Sequence, residues 1–488
     1  MISRIQLANK EKTHFPKREL FLFYFLFTAA IYFVYKKPNL ALPFFLFVLA
    51  WSWFSAKNYF WIAFFFLIIQ APAWFFWYTP TSHLPGIKVM PSISFSPPDF
   101  FTVMMLCKAF FLKKYINLKL KIPLTFLLVY FIFSFFWGVL FHSASLDEPI
   151  NFIRPVFYTT WIIFFTAFMS QKEDIFKFFR LLFPVAFFVL FCQIYFLLNR
   201  NEFINLFDPL ARSIVTTNTL TGELRSAIGL PGLSFLSYIG ALFILGFKQK
   251  TGDKYVFFVA TSWFFGVFLS ATRSFFGFFL FIWLGVYSRK IKQLPKIVGL
   301  VVLILIILFS LIKLGVFSEE YLRSSLWARL SQVFDFISGK GAQIDTVANR
   351  FEQLKIMLPK ISESLLFGYG FSDISNTYYN NNWGFFNTIL MFGLVGFLFF
   401  IFLFISYFKM MLSALRKLAP NSVFREPLRV LIVSFCAILS IYFFNLDLFS
   451  LTESYKAVFI TVFFAISEVS VRLADAERLA FTRILKHR

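Results

Sequence analysis

The segment IPLTFLLVYFIFSFFWGVLF occupies residues 122–141 and contains twenty consecutive residues without a charge. In an α-helix, twenty residues rise about 30 Å, which is the thickness of the hydrocarbon core of a bilayer. Lys119 and Lys121 flank the segment on one side, and the polar stretch HSASLDEP (142–149) follows it. The segment is therefore predicted to form one membrane-spanning helix.

Similar apolar segments recur along the whole chain of 488 residues, of which 59% are hydrophobic and 15% charged. A soluble protein of this length could not keep so much apolar surface away from water. The predicted spans are residues 20–35, 39–55, 58–78, 98–112, 122–141, 150–170, 174–198, 230–247, 254–271, 273–288, 297–316, 383–408, 428–447 and 454–471. We therefore expect an all-α fold: a polytopic membrane helix bundle of about fourteen transmembrane helices, forming a single integral membrane domain over residues 1–488.

The distribution of positive charge predicts the orientation of these spans. The chain carries 47 Lys and Arg residues against 24 Asp and Glu residues. The basic residues concentrate in the short segments between alternate spans, and such segments are retained in the cytoplasm. Lys36 and Lys37, in the first external turn, are the exception. We expect both termini in the cytoplasm, and the same distribution argues against a nucleic-acid partner.

The cysteines and the N-terminal segment indicate neither a metal site nor a cleaved signal. Cys107, Cys192 and Cys436 lie far apart inside apolar segments, without metal-binding spacing. The external segments show no cluster of carboxylates at metal-binding spacing, so we expect neither metal nor cofactor. Residues 1–19 are polar and basic, and no small-residue cleavage site follows them, so the first span is expected to be retained.

Ionisable residues are placed near the ends of the predicted spans rather than at their centres. A charge near the middle of a membrane costs at least about 2.5–3.5 kcal/mol and marks an ion path, and we find none there. At the cytoplasmic ends, long side chains are expected to reach water by snorkelling; these residues are Lys108, Lys177, Arg180 and Glu468. The polar residues concentrate at the external face, which favours binding or chemistry on that side.

Three external segments are long, namely residues 79–97, 199–229 and 317–382. The first is rich in proline and is predicted to be an extended loop. The third is the large, partly helical external loop of the protein. Within it, apolar residues recur at the three- and four-residue spacing of an amphipathic helix; they are Val347, Phe351, Leu354, Leu358, Ile361 and Leu365. That apolar stripe is expected to lie along the membrane surface or to cap the bundle.

Three arginines belong to the external face. Arg225 lies in TGELRSAIGLPG, Arg273 lies in the short turn LSATRSFFG, and Arg350 lies on the amphipathic helix. Guanidinium groups carry a permanent charge and form bidentate hydrogen bonds, so three of them in one cleft would suit a diphosphate. For Arg225 and Arg350 a lipid-headgroup contact or a salt bridge in the loop explains the residue equally well.

The large loop ends in SLLFGYGFSDISNTYYNNNWGFFNTILMFGLVGF (364–397). Gly368 and Gly370 flank Tyr369 and favour a tight turn. Asp373 follows, and then comes a group of amide side chains typical of a surface that binds sugar hydroxyls; as an alternative, they form a simple polar turn. From this segment we select Tyr369, Asn376 and Asn382 as glycan-binding candidates.

These motifs resemble the superfamily of O-antigen polymerases and O-antigen ligases, which are polytopic glycosyltransferases of the bacterial envelope. The resemblance rests on SATRSFFG (270–277), ANRFEQLKIMLPKISESLLFGYGFSD (348–373) and NNWGFFNTILMFGLVGF (381–397), and it is clearest over residues 225–405. It implies an inner-membrane enzyme whose external (periplasmic) loop covers a cavity for a glycan carried on a polyprenyl diphosphate. It also implies that Arg273 contacts the diphosphate, with Arg225 and Arg350 as weaker candidates.

The sequence departs from the ligase pattern at one point. Ligases of this superfamily carry a His-Asn pair before the glycine-containing span, whereas residues 317–382 contain no histidine. Asn382, Gly384 and Phe385 are instead similar to the polymerase pattern. This difference favours a polymerase and leaves no histidine in that loop to act as general base.

We therefore expect a metal-independent glycosyltransferase that moves a glycan from polyprenyl diphosphate to a sugar hydroxyl. Arg273 would stabilise the leaving diphosphate, and Asp373 is the candidate general base, although a capping role explains this residue equally well. The alternatives are a ligase that joins finished glycan to a lipid or protein, and a flippase that moves the same substrate without breaking bonds. The expected partners are the lipid-linked glycan, its acceptor, membrane lipid and other proteins of envelope polysaccharide assembly.

Overall fold

The computed structural model of the protein describes residues 17–74, 86–90, 93–112, 117–143, 146–198, 215–217, 224–226, 231–247, 253–269, 273–287, 345–379, 383–444, 449 and 453–486. These residues are mainly helical. The helices are α1 (Lys17–Lys36), α2 (Pro38–Phe54), α3 (Asn58–Trp74), α4 (Pro97–Phe111), α5 (Lys121–Phe141), α6 (Asp147–Tyr158), α7 (Trp161–Phe168), α8 (Lys172–Leu182), α9 (Pro184–Leu198), α10 (Pro231–Gly246), α11 (Asp253–Leu269), α12 (Arg273–Tyr287), α13 (Asp345–Glu363), α14 (Asp373–Tyr378), α15 (Gly384–Lys417), α16 (Arg425–Phe444) and α17 (Ser454–Lys486).

Four of the described helices are long and apolar enough to cross a membrane. They are Lys121–Phe141, the long helix Gly384–Lys417, Arg425–Phe443 and Ser454–Ala480. Five shorter apolar helices of 10–17 residues accompany them in α2, α3, α10, α11 and α12. The predicted span 297–316 lies outside the described residues.

Two predicted spans are each divided into two helices, which corrects the expectation of continuous spans. The span predicted at 150–170 separates into α6 and α7 at Thr159 and Thr160, whose hydroxyls donate to the carbonyls of Val156 and Phe157. The span predicted at 174–198 separates into α8 and α9 just before Pro184. Proline has no N–H to continue the helical hydrogen bonds, so a new helix begins there.

Two short antiparallel hairpins modify the all-α expectation. Strands β1 (Ile87–Met90) and β2 (Ile93–Phe95) pair within the segment 79–97, so part of that predicted loop is a hairpin. Strands β3 (Val215–Thr217) and β4 (Leu224–Ser226) pair within the segment 199–229. Both hairpins are too short to build a sheet core.

Helix α17 is the centre of the bundle. Of the residues in its most apolar stretch, 89% are buried. In α5 the corresponding share is 28%, so α5 lies at the periphery. Helix α17 packs against α6, α7, α10 and α15. Inside this contact the hydroxyls of Tyr407 and Ser467 lie 3.0 Å apart, which satisfies two polar groups in an otherwise apolar interior.

Two charged residues expected to snorkel are buried instead. Lys108 is 7% exposed, and its Nζ donates to the carbonyls of Ser52 (3.0 Å) and Ser55 (2.7 Å) at the C-terminal end of α2. Glu468 is 5% exposed and accepts from the backbone N–H groups of Lys119 (3.1 Å) and Leu120 (2.6 Å). Each charged side chain therefore forms hydrogen bonds with backbone groups that a helix end leaves without a partner. These bonds take the place of hydrogen bonds to water.

Candidate functional site

Helix α15 is interrupted at Gly393, where φ is 62° and ψ is −173°. This conformation is essentially restricted to glycine. The part that follows the interruption, residues 394–417, is long enough to cross a membrane by itself at about 1.5 Å per residue. The part before it, residues 384–392, is a short helix that leads into the interruption.

The segment that follows α13 fills the interruption. Backbone N–H groups of Tyr369 and Gly370 donate to the carbonyls of Leu390 (2.9 Å) and Met391 (2.7 Å). The first N–H groups after the interruption donate in the opposite direction, to the same segment. The N–H of Leu394 donates to the carbonyl of Leu365 (2.8 Å), and the N–H of Val395 donates to the carbonyl of Leu366 (3.1 Å). The groups released by the break thus find partners in residues 365–370, as buried backbone requires.

Helix α5 closes this arrangement from the other side. The hydroxyl of Tyr130 donates to the carbonyl of Phe392 over 2.6 Å, and Trp137 Nε1 donates to the carbonyl of Gly368 over 3.0 Å. A Cβ atom on Gly138 would lie 2.3 Å from the carbonyl oxygen of Phe371. The segment 368–371 therefore lies directly on the backbone of α5.

Gly368 and Gly370 have φ angles of 66° and 65°, which confirms the tight turn predicted around Tyr369. A Cβ atom on Gly370 would lie 2.2 Å from the carbonyl oxygen of Ser134 in α5. Both the backbone conformation and the available space therefore restrict these positions to glycine.

Tyr369 is buried between the end of α13 and α5. It is 5% exposed, and its hydroxyl shares its proton between two acceptors, Glu363 Oε2 (2.9 Å) and the carbonyl oxygen of Lys360 (3.1 Å). Burial, followed by the hydrogen bond to Glu363, raises the pKa of Tyr369 to about 12. The hydrogen bond from Lys360, followed by that from Tyr369, lowers the pKa of Glu363. The hydroxyl therefore stays protonated and fixes the end of α13; the predicted role of Tyr369 in glycan binding stays a prediction.

His142 borders the same cluster at the end of α5. Its ring lies 5.1 Å from the ring of Tyr369 and 5.8 Å from that of Trp137. Its Nε2 is buried and has no hydrogen-bond partner among the described residues. Burial lowers the pKa of His142, because the charged imidazolium is disfavoured in this position.

Asp373 is the first residue of α14 and is half-buried. The N-cap of α14 is Ser372, whose side chain accepts from the N–H of Ser375 over 3.2 Å, so the capping role belongs to Ser372. Asp373 lies in the first turn, where a carboxylate is stabilised by the helix dipole. Just before it, the ring of Phe371 stacks on that of Phe152 in α6 at 5.6 Å. Helix α6 thus joins the interruption of α15 to a second polar cluster.

That second cluster is a buried carboxylate–guanidinium pair. Asp99, near the start of α4, is 3% exposed, and its Oδ2 lies 3.3 Å from Nε of Arg154 in α6. The carboxylate also accepts from the hydroxyl of Tyr158 (2.8 Å) and from the N–H and Oγ of Ser96 (both 2.7 Å). These donors satisfy the oxygens of the buried carboxylate, which in turn holds the guanidinium of Arg154 in place.

Reasoning from sequence missed Asp99 as a member of the site. The signal available was the spacing of SPPD (96–99), in which a serine, two prolines and an acidic residue mark the start of a helix. Arg154 lies near the start of the predicted span 150–170, and no motif marks it. Their pairing depends on contact between α4 and α6, which no local pattern in the sequence specifies.

The predicted arginines are described at the backbone only. Arg225 pairs with Thr216 across β3 and β4, Arg273 is the first residue of α12, and Arg350 belongs to α13. Their side chains lie outside the described part of the chain, so their convergence on a diphosphate stays a prediction. Asn376 is exposed on α14, and Asn382 lies outside the described residues.

The described residues contain no group of three or more His, Cys, Asp or Glu side chains that could hold a metal ion. The expectation of metal-independent chemistry remains a prediction, because it also concerns segments outside the described ranges.

No family model matches the chain, and no curated protein matches it. The candidate site is thus defined by the interruption of α15, the turn around Tyr369 and the Asp99–Arg154 pair.

Proposed function

We propose that the protein is a polytopic bacterial inner-membrane glycosyltransferase that polymerises an envelope glycan. The chain would cross the membrane about fourteen times, with both termini in the cytoplasm and residues 317–382 in the periplasm. The donor would be a glycan on polyprenyl diphosphate, and the acceptor a hydroxyl of a second glycan.

One observation carries this proposal: a set of charged and polar side chains gathers at the end of the bundle opposite the buried Lys108 and Glu468. Asp99 lies near the start of α4 and His142 follows the end of α5, while Arg154 lies in α6 immediately after that turn. Lys456, which is 1% exposed, forms an ion pair of 2.7 Å with Glu453 at the start of α17. Because α4 and α17 begin where α5 ends, these charges share the predicted external end of the bundle.

Successive helices would run in opposite directions through the bundle, which would bring the predicted arginines to the same end. Arg273 begins α12 after the predicted external turn, and Arg350 lies in α13, whose Met357 and Ile361 pack on Tyr369 and Leu390. In the bundle, a stable end layer made of α6, α13 and α14 would support a cavity for a charged substrate. Arg154, held by Asp99, adds a further guanidinium to this layer.

The reaction would be a displacement at the anomeric carbon of the donor sugar. The acceptor oxygen forms the new glycosidic bond, the bond from the anomeric carbon to the diphosphate oxygen breaks, and the acceptor proton goes to a base, for which Asp373 is the candidate. Arg273, assisted by Arg225 and Arg350, would stabilise the charge that grows on the departing diphosphate. Tyr369, Asn376 and Asn382 would contact the glycan.

The experiment compares the surface glycan of cells lacking the chain with that of cells in which it is restored. A polymerase predicts that loss of the chain leaves a single repeat on its anchor and that restoration returns long chains. A bare anchor with accumulated long lipid-linked glycan would identify a ligase. Lipid-linked repeats retained on the cytoplasmic face would identify a flippase, and an unchanged glycan profile would contradict all three activities.

A further inference from the structure

An apolar groove of about 560 Å³ lies between α4, α5, α7, α15 and α17. Its floor consists of buried side chains from the interior of the bundle, among them Phe131, Leu403 and Phe464 at 3–6% exposure. Its rim consists of exposed apolar side chains, namely Phe110 (79%), Leu128 (42%) and Ile163 (42%). The groove therefore opens sideways, onto the surface that faces lipid in an embedded bundle.

The hydroxyl donors in the wall of the groove are already used. Four threonines line it, and each hydroxyl donates to a carbonyl of its own chain segment at 2.6–2.8 Å; they are Thr125, Thr159, Thr160 and Thr461. A hydroxyl has one proton to donate, so these groups offer no further donor to a ligand. A polar ligand would lose its hydrogen bonds to water without replacement, whereas a hydrocarbon chain loses none.

Lys121 is the one charged residue among those that line the groove. It begins α5, is exposed and forms no ion pair within the described residues. The groove meets a smaller cavity at this end through Leu118, which lines both. The cations of that second cavity, Lys119 and Arg472, are balanced by two carboxylates, Asp475 and Glu468, and Lys119 is ion-paired with Asp475. Lys121 is therefore the positive charge that marks one end of an otherwise apolar channel, which suits an anionic headgroup joined to a hydrocarbon chain.

The length of the groove favours a lipid of one leaflet. It extends along α5 from Lys121 to Phe131, and ten residues of helix rise about 15 Å. This is about half of the roughly 30 Å hydrocarbon core. A single acyl chain with its headgroup at Lys121 would fill the groove to the middle of the membrane.

We propose that this groove binds one anionic phospholipid from the leaflet on the Lys121 side, with an acyl chain in the groove and the phosphate at Lys121. The proposal requires the membrane embedding but not the glycosyltransferase activity. The lipid would fill the gap between α4 and α5 and so stabilise that side of the bundle.

The test uses the full-length protein in bilayers of phosphatidylcholine that contain a trace of chain spin-labelled lipid. Electron paramagnetic resonance measures the motionally restricted fraction for labelled phosphatidylglycerol and for labelled phosphatidylcholine. We expect the wild type to prefer phosphatidylglycerol about fivefold, the effect of about one favourable charge contact. Lys121→Ala should lower this preference.

Two further variants separate the groove from general charge attraction. Lys409→Ala removes an exposed positive charge that does not line the groove, and it should leave the preference unchanged. Thr125→Trp, at an exposed position of the rim, should fill the opening and lower the restricted fraction for both lipids. Equal restriction of the two lipids in the wild type, or equal effects of Lys121→Ala and Lys409→Ala, would overturn the proposal. Since no glycan is present, its failure would leave the proposed function untouched.

Discussion

The backbone N–H of Gly370 donates to the carbonyl of Met391 over 2.7 Å, two residues before α15 is interrupted at Gly393. This bond connects the segment after α13 to the start of a helix that is long enough to cross a membrane. The two segments are joined by hydrogen bonds between backbone groups. The geometry of this contact is therefore fixed by the glycines rather than by side chains. Any substrate held by Asp373 or by α13 is therefore positioned relative to α15.

Gly393→Ala should destabilise the protein by at least about 1–3 kcal/mol, since alanine rarely adopts this backbone conformation. Its Cβ would also lie 2.2 Å from the carbonyl oxygen of Leu366. Gly277→Ala is the matched control, because nothing lies within 4 Å of a Cβ at that helical position. Unfolding in detergent, followed by tryptophan fluorescence, measures both. Equal stability of the two variants would show that the interruption is not under this constraint.

Tyr130→Phe should cost about 1–3 kcal/mol, because it leaves the buried carbonyl of Phe392 without the 2.6 Å hydrogen bond from the Tyr130 hydroxyl. The aromatic ring and its packing are preserved by the substitution. Tyr32→Phe removes a hydroxyl from a half-exposed residue and should change stability by less than about 0.5 kcal/mol. The same unfolding measurement compares them, and an unchanged Tyr130→Phe variant would remove this hydrogen bond from the description of the site.

Arg154→Ala should lower stability by about 3 kcal/mol, since it leaves the buried carboxylate of Asp99 without its cationic partner. Lys355→Ala, which breaks an ion pair with Glu352 in which both side chains are more than half exposed, should cost no more than about 1 kcal/mol. If the two variants lost the same stability, the Asp99–Arg154 pair would have no special role in the candidate site.

Acidification should weaken the packing around His142. Burial lowers its pKa in the folded state, so the unfolded chain binds the proton more readily. The stability contributed by neutral His142 is complete above the unfolded pKa of about 6.5 and is lost as the pH falls through the folded value. Melting temperatures between pH 7.5 and 5.5 should therefore fall more steeply in the wild type than in His142→Phe, which keeps a ring against Tyr369 and Trp137. Parallel curves would show that His142 does not contribute to the acid sensitivity.

The sequence predicted well those features that depend on one local segment. The span predicted at 122–141 is the helix Lys121–Phe141, because twenty uncharged apolar residues form a helix wherever they are buried. The turn around Tyr369 was predicted because glycine at both neighbours has a local conformational meaning.

Features that depend on contact between distant segments were not predicted. The pairing of Asp99 with Arg154, and the burial of Lys108 against the end of α2, are set by how helices pack. The hydropathy of residues 384–417 gave no sign that the turn around Tyr369 would replace hydrogen bonds of α15 at Gly393. The side chains of Arg225, Arg273 and Arg350 lie outside the described part of the chain, so the diphosphate site is a matter for experiment.

The most direct test supplies the purified protein with a polyprenyl-diphosphate-linked repeat and separates the products by length. We predict that the wild type and Lys409→Ala produce a ladder of longer lipid-linked glycans, whereas Arg273→Ala binds the repeat but elongates it at least about 100-fold more slowly. Arg273→Lys should recover only part of the rate, because an ammonium lacks the bidentate donors of guanidinium. A wild-type protein that leaves the repeat unextended would contradict the proposed polymerase, and an Arg273→Ala variant that elongates at the wild-type rate would contradict the role of Arg273.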